Sequence, residues 1–270
     1  MSAATTASTH ILTGDGVRIA YRFDGDAGLP VLVLSNSIAT DLHMWDAQIP
    51  ALSAHFRVLR YDARGHGASD APPGAYSLDR LGRDVLELLD ALGLERVHFL
   101  GLSLGGYVGQ WLGVHAPERI ERLVLSNTSS HLGPAAVFDQ RIREVHAATD
   151  LGAIAERFLR DWFPAPMLAA DDPRVAPLRA TLLAQSAAGL AGSFAAVRDA
   201  DLRRSAGLIA APTLVIAGES DPVTLPEHGR LLAETVPGAR LLMLPAVHMA
   251  NIECAEAFER AALGFLTEAS

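Results

Sequence analysis

Residues 97–112 read VHFLGLSLGGYVGQWL, and this stretch decides the fold. It begins with an apolar run typical of a buried strand and ends with the mixed spacing typical of a helix. Between the two lies the pattern Gly-x-Ser-x-Gly, formed by Gly101, Ser103 and Gly105. Because glycines let neighbouring backbone come close, a serine in such a turn exposes its hydroxyl at the carboxyl end of the strand. The stretch predicts Ser103 as a nucleophile, although the pattern also occurs by chance in chains rich in small residues.

Short apolar runs and helical patterns alternate along the rest of the chain. The predicted strands are residues 17–23, 31–34, 56–61, 97–102, 120–126, 213–217 and 239–244. Residues 78–92 have apolar side chains at helical spacing and stop at Gly93, a typical helix breaker. Apolar strands without strict alternation, separated by helices, indicate a mostly parallel sheet covered by helices on both faces. The sequence therefore predicts the α/β class.

The pattern changes between residues 129 and 207, where alanine and leucine dominate and no convincing strand is found. We interpret this segment as a helical insertion, a lid over the carboxyl ends of the strands, where ligands bind in such sheets. The core is then formed by residues 1–128 and 208–270. The small, hydroxyl-rich stretch Met1–Thr13 is expected to be a disordered lead-in rather than a signal peptide.

A serine hydroxyl needs a neighbouring base to act as a nucleophile, and that base needs a third group to orient it. His248 follows the last predicted strand, and Asp221 follows the strand before it. Both can therefore reach the edge of the sheet that carries Ser103, and we predict these three residues as a catalytic triad. Two alternatives concern the acid: Asp221 could only cap a helix or form a turn, and Glu219 is a competing carboxylate.

Acyl transfer also needs hydrogen-bond donors for the oxyanion of the tetrahedral intermediate. The backbone N–H of Leu104, directly after the nucleophile, is the first predicted donor. The second donor is expected in the loop that follows the strand at residues 31–34. There we predict the backbone N–H of Ser37.

The composition excludes several classes of partner. The chain has 270 residues and a net charge of −9, which argues against nucleic acid or an anionic membrane. No apolar run is long enough for a membrane span. The histidines lack the spacing of metal ligands and no Gly-x-Gly-x-x-Gly opens a helix, so neither a metal nor a cofactor is predicted. With the single cysteine Cys254 no internal disulfide can form, so the cytoplasm is the expected compartment, while the oligomeric state stays open.

Together these motifs resemble the α/β-hydrolase superfamily over essentially the whole chain. Besides the serine turn and the late aspartate and histidine, residues 62–69 read Asp-x-Arg-Gly-His-Gly-x-Ser. Three segments are more similar to 3-oxoadipate enol-lactonases than to generic esterases. They are residues 34–45, with Ser-Asn where most relatives have His-Gly, residues 101–128, and His-Met-Ala-Asn-Ile-Glu at residues 248–253. Two positions depart from those lactonases: Ala39 replaces a common glycine, and Tyr107 is larger than expected.

The resemblance implies hydrolysis of a small five-membered enol-lactone that carries a free carboxylate, with Ser103 attacking the ring carbonyl. Trp162 and Phe163 in the insertion are then expected as pocket walls, unless they only join the insertion to the core. A carboxylated substrate needs a cation, for which Arg198 is the candidate, although an arginine among aspartates is usually part of a solvated, salt-bridged face. The alternatives are a broad carboxylesterase, a cofactor-free perhydrolase, and a non-catalytic hydrolase-fold protein that binds a small molecule.

Overall fold

The computed structural model describes residues 9–268, and a single eight-stranded sheet runs through their centre. The strands are β1 (Thr9–Leu12), β2 (Arg18–Asp24), β3 (Val31–Ser35), β4 (Arg57–Tyr61), β5 (Val97–Leu102), β6 (Ile120–Ser126), β7 (Thr213–Gly218) and β8 (Arg240–Leu244). Their spatial order is β1-β2-β4-β3-β5-β6-β7-β8. Strands β3 to β8 are parallel, whereas β1 and β2 pair antiparallel with their neighbours. The predicted α/β class and mostly parallel sheet are confirmed.

The strand β1 was not expected, because the sequence predicted a disordered lead-in over Met1–Thr13. Thr9–Leu12 instead pair with β2, with His10 opposite Ala20. Three of the four β1 side chains are exposed, so the strand has no buried apolar pattern that a sequence could reveal. The strand is instead held in place by backbone hydrogen bonds to β2. The first eight residues of the predicted lead-in lie outside the described residues.

Helices cover both faces of the sheet. They are α1 (Ile49–Leu52), α2 (Leu78–Ala91), α3 (Leu104–His115), α4 (Ala135–Ala147), α5 (Gly152–Trp162), α6 (Ala165–Ala169), α7 (Ala176–Leu183), α8 (Ala187–Asp199), α9 (Pro226–Thr235), α10 (Ala250–Glu253) and α11 (Ala255–Leu266). The predicted helix at residues 78–92 is α2, whose first turn is capped by the Ser77 hydroxyl accepting from the N–H of Arg80. Its buried stripe includes Leu81, Val85 and Leu88, which explains the helical spacing in the sequence.

Helices α4 to α8 lie between β6 and β7, in the segment predicted as an insertion. An isolated antiparallel bridge joins His131 to Asp201, and the N–H of Leu202 donates to the carbonyl of Ser130. The two ends of the inserted segment therefore lie side by side. Within residues 9–268 no single helix is long and apolar enough to cross a membrane, although the pair α7 and α8, bent by 100°, passes that test by length and composition.

Candidate active site

Ser103 lies in the turn between β5 and α3, where the backbone is strained. Its φ of 57° and ψ of −113° are unusual for a residue with a side chain. A side chain at Gly101 would collide with the backbone of Gly105, and one at Gly105 would collide with the backbone of Ser35. The two glycines are thus required by close packing around the turn. The N–H of Ser103 donates to the carbonyl of Ser126 at 2.9 Å, which fixes the turn to the end of β6.

The structure brings His248 and Asp221 into direct contact. The imidazole Nδ1 lies 2.8 Å from Oδ2 of Asp221, and both side chains are buried. The opposite ring nitrogen, Nε2, is buried and has no hydrogen-bond partner among the described residues. His248 and Ser103 line the same cavity. A base oriented by an ionised carboxylate, with its other nitrogen free, is the arrangement that proton transfer from a serine hydroxyl requires.

Four further donors hold the carboxylate of Asp221. Its Oδ1 accepts from the N–H groups of Val223 and Thr224, and its Oδ2 accepts from the Thr224 hydroxyl and the side-chain amide of Asn127. Burial by itself raises the pKa of Asp221, but the neighbouring His248 and these hydrogen bonds outweigh burial and lower it below its ordinary value. Asp221 is therefore held ionised beside the imidazole. The competing acid Glu219 is exposed to solvent.

Asn127 is a site residue that the sequence reasoning missed. It directly follows β6 and has a φ of 42°, a left-handed conformation that asparagine tolerates better than most residues. Its amide group donates to Oδ2 of Asp221 and to the carbonyl of Val247, each at 3.0 Å. Asn127 thereby joins the loop of the acid to the loop of the histidine. The sequence did contain an indication of this role, since Asn127 is a polar residue at the end of a predicted parallel strand, the edge of the sheet where ligands bind.

The predicted oxyanion donors lie on two segments that are tied together. The N–H of Gly105 donates to the carbonyl of Asn36 at 3.0 Å, so the loop after β3 is fixed to the first turn of α3. Leu104 is the first residue of α3, where an N–H has no acceptor within its own helix, and it lines the cavity. The N–H of Ser37 donates to Sδ of Met44 at 3.3 Å. The N–H of Ser37 thus already has an acceptor, and Ser37 does not line the cavity, whereas the next residue, Ile38, does.

The motif at residues 62–69 supports the same loop. Nε2 of His66 accepts from the N–H of Ala39 at 2.9 Å, and the carboxylate of Asp62 accepts from the N–H groups of Leu42 and Ala68. Ala39 has a φ of 62°, the left-handed region that favours glycine, which is the residue that the similar lactonases commonly have there. His66 is therefore a structural residue that supports this loop. Burial raises the pKa of Asp62 to about 6 against these two hydrogen bonds.

The cavity is apolar and aromatic on most of its surface. Its aromatic side chains are Tyr107, Phe138, Phe158, Trp162 and Phe194. Trp162 thus lies where the sequence predicted a pocket wall. Phe163 is also buried, but it does not line the cavity and belongs to the hydrophobic core. The hydroxyl of Tyr107 lies 2.8 Å from the Ser129 hydroxyl, so the unexpectedly large side chain is held at the cavity surface.

Arg198, the predicted cation for a substrate carboxylate, lies elsewhere. Its guanidinium is bound by Asp139 at 2.8 Å and by Asp199 at 2.7 Å, and it is absent from the cavity lining. The reason is local. Arg198 lies next to one of these carboxylates in the sequence, and the other is on α4, which packs against α8. We therefore do not retain Arg198 as a substrate-binding residue.

The cation in the cavity is Arg141, on α4. Its guanidinium lies 5.6 Å from the ring centre of Phe138 and 5.7 Å from that of Phe194. Burial and the nearby Arg157 lower the pKa of Arg141 below its ordinary value. No carboxylate within residues 9–268 forms an ion pair with it. A partly buried guanidinium without an ion-pair partner, in the cavity that contains Ser103, is a ready site for a carboxylate.

Comparisons with known proteins identify the family of the chain. Residues 30–255 match the family model described as the alpha/beta hydrolase fold. The chain is 39% identical over 251 residues to 3-oxoadipate enol-lactonase 2 of Acinetobacter baylyi, covering 93% of each chain. RutD of Stutzerimonas stutzeri, a protein named for carbamate hydrolysis, is 32% identical over 253 residues, covering 92% of this chain and 94% of RutD.

Two solved structures superpose over nearly the whole chain. A hydrolase from Pseudomonas aeruginosa PA01 has a TM-score of 0.96 and 60% identity, covering 98% of this chain and all 100% of its own. The enol-lactonase from Burkholderia xenovorans LB400 has a TM-score of 0.93 and 40% identity, covering 96% and 100%. The resemblance stated from the sequence motifs is confirmed. The chain belongs to the α/β-hydrolase family.

Proposed function

We propose that this protein is a serine hydrolase that opens a small carboxylated enol-lactone, of the 3-oxoadipate enol-lactonase type, through an acyl-enzyme. One observation carries the proposal: Ser103, His248 and the unpaired cation Arg141 line a single cavity. A nucleophile and a base provide acyl transfer, and the cation adds a preference for a carboxylate. The enol-lactonases among the similar proteins support this substrate class.

Acylation begins when His248 accepts the hydroxyl proton of Ser103 at Nε2 while Oγ bonds to the lactone carbonyl carbon. Asp221 stabilises the imidazolium that forms. The N–H of Leu104 and one from the loop after β3, predicted from the sequence at Ser37, are the proposed donors to the oxyanion. When the tetrahedral intermediate collapses, the ring C–O bond breaks and the enol oxygen leaves with the proton from the imidazolium. The enol then converts to the ketone, which makes this step favourable.

Deacylation uses the same groups with water as the nucleophile. Nε2 of His248 accepts a proton from water as the water oxygen bonds to the ester carbon of the acyl-enzyme. The second tetrahedral intermediate breaks its bond to Oγ of Ser103, which regains its proton from the imidazolium. The product then carries two carboxylates, the original one and the one released from the ring. Neither a metal nor a cofactor is needed for these steps.

The remaining parts of the cavity are assigned to substrate selection. We place the substrate carboxylate at Arg141 and the ring against Trp162 and the other aromatic walls. The helical insertion, residues 129–207, is proposed to act as the lid that carries these groups over the core formed by residues 1–128 and 208–270. We expect the protein to act in the cytoplasm, because its single cysteine forms no internal disulfide.

The proposal is tested by comparing substrates on the purified protein. A carboxylated enol-lactone should give a kcat/KM at least about 100-fold above that of an uncharged p-nitrophenyl ester, since two charge-assisted hydrogen bonds to a carboxylate are worth roughly that factor. A preference for the uncharged ester would instead identify a broad carboxylesterase, and peroxide-dependent turnover a perhydrolase. A preference for a carbamate would point to the activity for which RutD is named.

Ser103→Ala tests the nucleophile itself. Its turnover should fall by about 10³-fold or more, because the acyl-enzyme can no longer form. A protein that binds the lactone but shows no turnover before or after this substitution would be a non-catalytic binder. Turnover retained in Ser103→Ala would end the assignment of Ser103.

A further inference from the structure

The cavity contains a second charged residue, the carboxylate of Asp161 near the end of α5. Asp161 is partly buried and lines the same cavity as Ser103 and Arg141. Within the described part of the chain its side chain has neither a hydrogen bond nor an ion pair. No protein donor in that part of the chain therefore competes with a ligand for this carboxylate.

The pairing of the other insertion acids makes Asp161 unusual. Six of them form ion pairs with arginines: Asp139, Glu144, Glu156, Asp172, Asp199 and Asp201. The other two, Asp150 and Asp171, are exposed to solvent, so Asp161 is the acid of the insertion that is partly buried without an ion pair. The acid and the arginine that face the nucleophile are both left without an ion-pair partner. The other acids and arginines of the insertion without an ion pair are all exposed, whereas Asp161 and Arg141 are partly buried and line the cavity, where a ligand can reach them.

Asp161 and Arg141 are close enough for their charges to interact. The negative charge of Asp161 opposes the lowering of the Arg141 pKa that burial and Arg157 cause. Both charges therefore act on a substrate that enters the cavity. A substrate with one carboxylate can neutralise Arg141, but it leaves Asp161 as the remaining charge. A second carboxylate on the substrate is then repelled by Asp161, and the cavity lining has no second arginine or lysine to offset that repulsion.

We propose that Asp161 is a specificity-determining residue that selects acyl substrates by charge, favouring one carboxylate over two. The inference rests on the proposed function, since it assigns the charge class of the substrate that the same site opens. Asp161 therefore affects the substrate and the product differently, because opening the ring adds one carboxylate. The monoanionic lactone is accepted, whereas the dianionic product is repelled and leaves.

The test uses three p-nitrophenyl esters of similar size and increasing charge: the neutral butyrate, the singly charged mono-ester of glutarate and the doubly charged mono-ester of tricarballylate. Asp161→Asn keeps the shape of the side chain and removes its charge. In this variant the ratio of kcat/KM for the doubly charged to the neutral ester should rise about ten-fold, and that for the singly charged ester about three-fold. Both changes should shrink in high salt.

Asp171→Asn is the matched control. Asp171 is an exposed acid of the same insertion, lies outside this cavity and has a left-handed φ of 48° that asparagine also tolerates. Its ratios should equal those of the unmodified protein. The proposal would be overturned if the kcat/KM ratios of Asp161→Asn equalled those of the unmodified protein, or if they rose by the same factor for both charged esters.

A second measurement separates this proposal from the proposed function. Butyrate, glutarate and tricarballylate are titrated calorimetrically into Ser103→Ala protein with and without Asp161→Asn. If no ester or lactone is hydrolysed, the proposed function fails, but the charge selection is still measured by these affinities. If the esters are hydrolysed through Ser103 and the affinities do not depend on Asp161, only the charge selection fails.

Discussion

The backbone carbonyl of Trp162 accepts hydrogen bonds from the N–H groups of His248 and Met249, each at 3.3 Å. Trp162 is the last residue of α5 and lines the cavity, so the insertion that covers the site also holds the loop of the imidazole. The position of the base therefore depends on the packing of the insertion. In the proposed mechanism, Trp162 therefore couples substrate selection to proton transfer.

Trp162→Ala should lower kcat for every substrate, including a small neutral ester that needs no aromatic wall. Removing this buried side chain leaves a cavity that costs about 3–5 kcal/mol of stability and lets the end of α5 shift away from His248. Trp162→Phe, which refills most of the space, should recover a large part of kcat. Steady-state kinetics and urea unfolding of both variants check this. An effect confined to KM would show that Trp162 only contacts the substrate.

Asp221→Asn should reduce kcat by about 10⁴-fold while the protein stays folded, because an amide neither stabilises an imidazolium nor holds the required tautomer. Glu219→Gln is the matched control, since Glu219 lies two residues away and is exposed. Its kcat should stay within about two-fold of the original, as expected for a surface substitution. Thermal unfolding confirms that both proteins are folded. A larger loss in Glu219→Gln than in Asp221→Asn would exchange their assignments.

The neighbourhood of Ser103, Asp221 and His248 could be predicted because each residue lies within four positions of the end of a strand. The carboxyl ends of parallel strands share one edge of the sheet, so position in the sequence translates into position in space. The same rule applies to Asn127 at the end of β6, and its role was missed only because an amide was not considered as a donor to the acid. The turn at residues 62–69 could be predicted as structural, but its contact with Ala39 could not.

The cation could not be predicted, because Arg141 lies on a helix of the insertion. Which face of α4 meets the cavity depends on how α4 and α8 pack against each other, and no strand register fixes that arrangement. The sequence offered several arginines and no means to exclude Arg198, whose neighbour Asp199 binds it. The position of Phe163 could not be predicted for the same reason. It adjoins Trp162 in the sequence, yet of these two residues only Trp162 lines the cavity.

Asn127→Gly should lower kcat about ten-fold with little change in KM. Glycine tolerates the left-handed backbone at this position, so the substitution removes the amide donor to Asp221 without backbone strain. One hydrogen bond to a charged group is worth roughly a factor of ten. Asn127→Ala should add a loss of stability of about 1 kcal/mol, because alanine is strained at positive φ. If Asn127→Gly kept full kcat, the amide would have no positioning role.

The unfolding free energy should carry a pH dependence from Asp62. Its pKa is about 6 in the folded protein, whereas aspartate in an unfolded chain has a pKa of about 3.9. The folded state therefore keeps a proton that the unfolded state has lost between these values. The Asp62 contribution is fully present below about pH 4 and is lost as the pH rises through about 6, a decrease of about 3 kcal/mol.

Urea unfolding of the unmodified protein and Asp62→Asn, at pH 4.5 and pH 7.5, isolates this contribution. The asparagine variant does not titrate at this position, so other groups cancel in the difference between the two proteins. That difference should favour the unmodified protein more at the lower pH. A difference that does not change with pH would mean that the hydrogen bonds from Leu42 and Ala68 keep Asp62 ionised.

Arg141→Gln should lower the ratio of kcat/KM for a carboxylated lactone or ester to that for a neutral ester by about 50-fold. The guanidinium has no ion-pair partner among residues 9–268, so it is fully available to a substrate carboxylate. Replacing it with a neutral amide removes that charged interaction. Arg198→Gln removes an equal charge that Asp139 and Asp199 already neutralise outside the cavity, and it should leave the ratio unchanged. The opposite result, a change in Arg198→Gln alone, would return the carboxylate site to Arg198 and require α8 to turn toward the nucleophile.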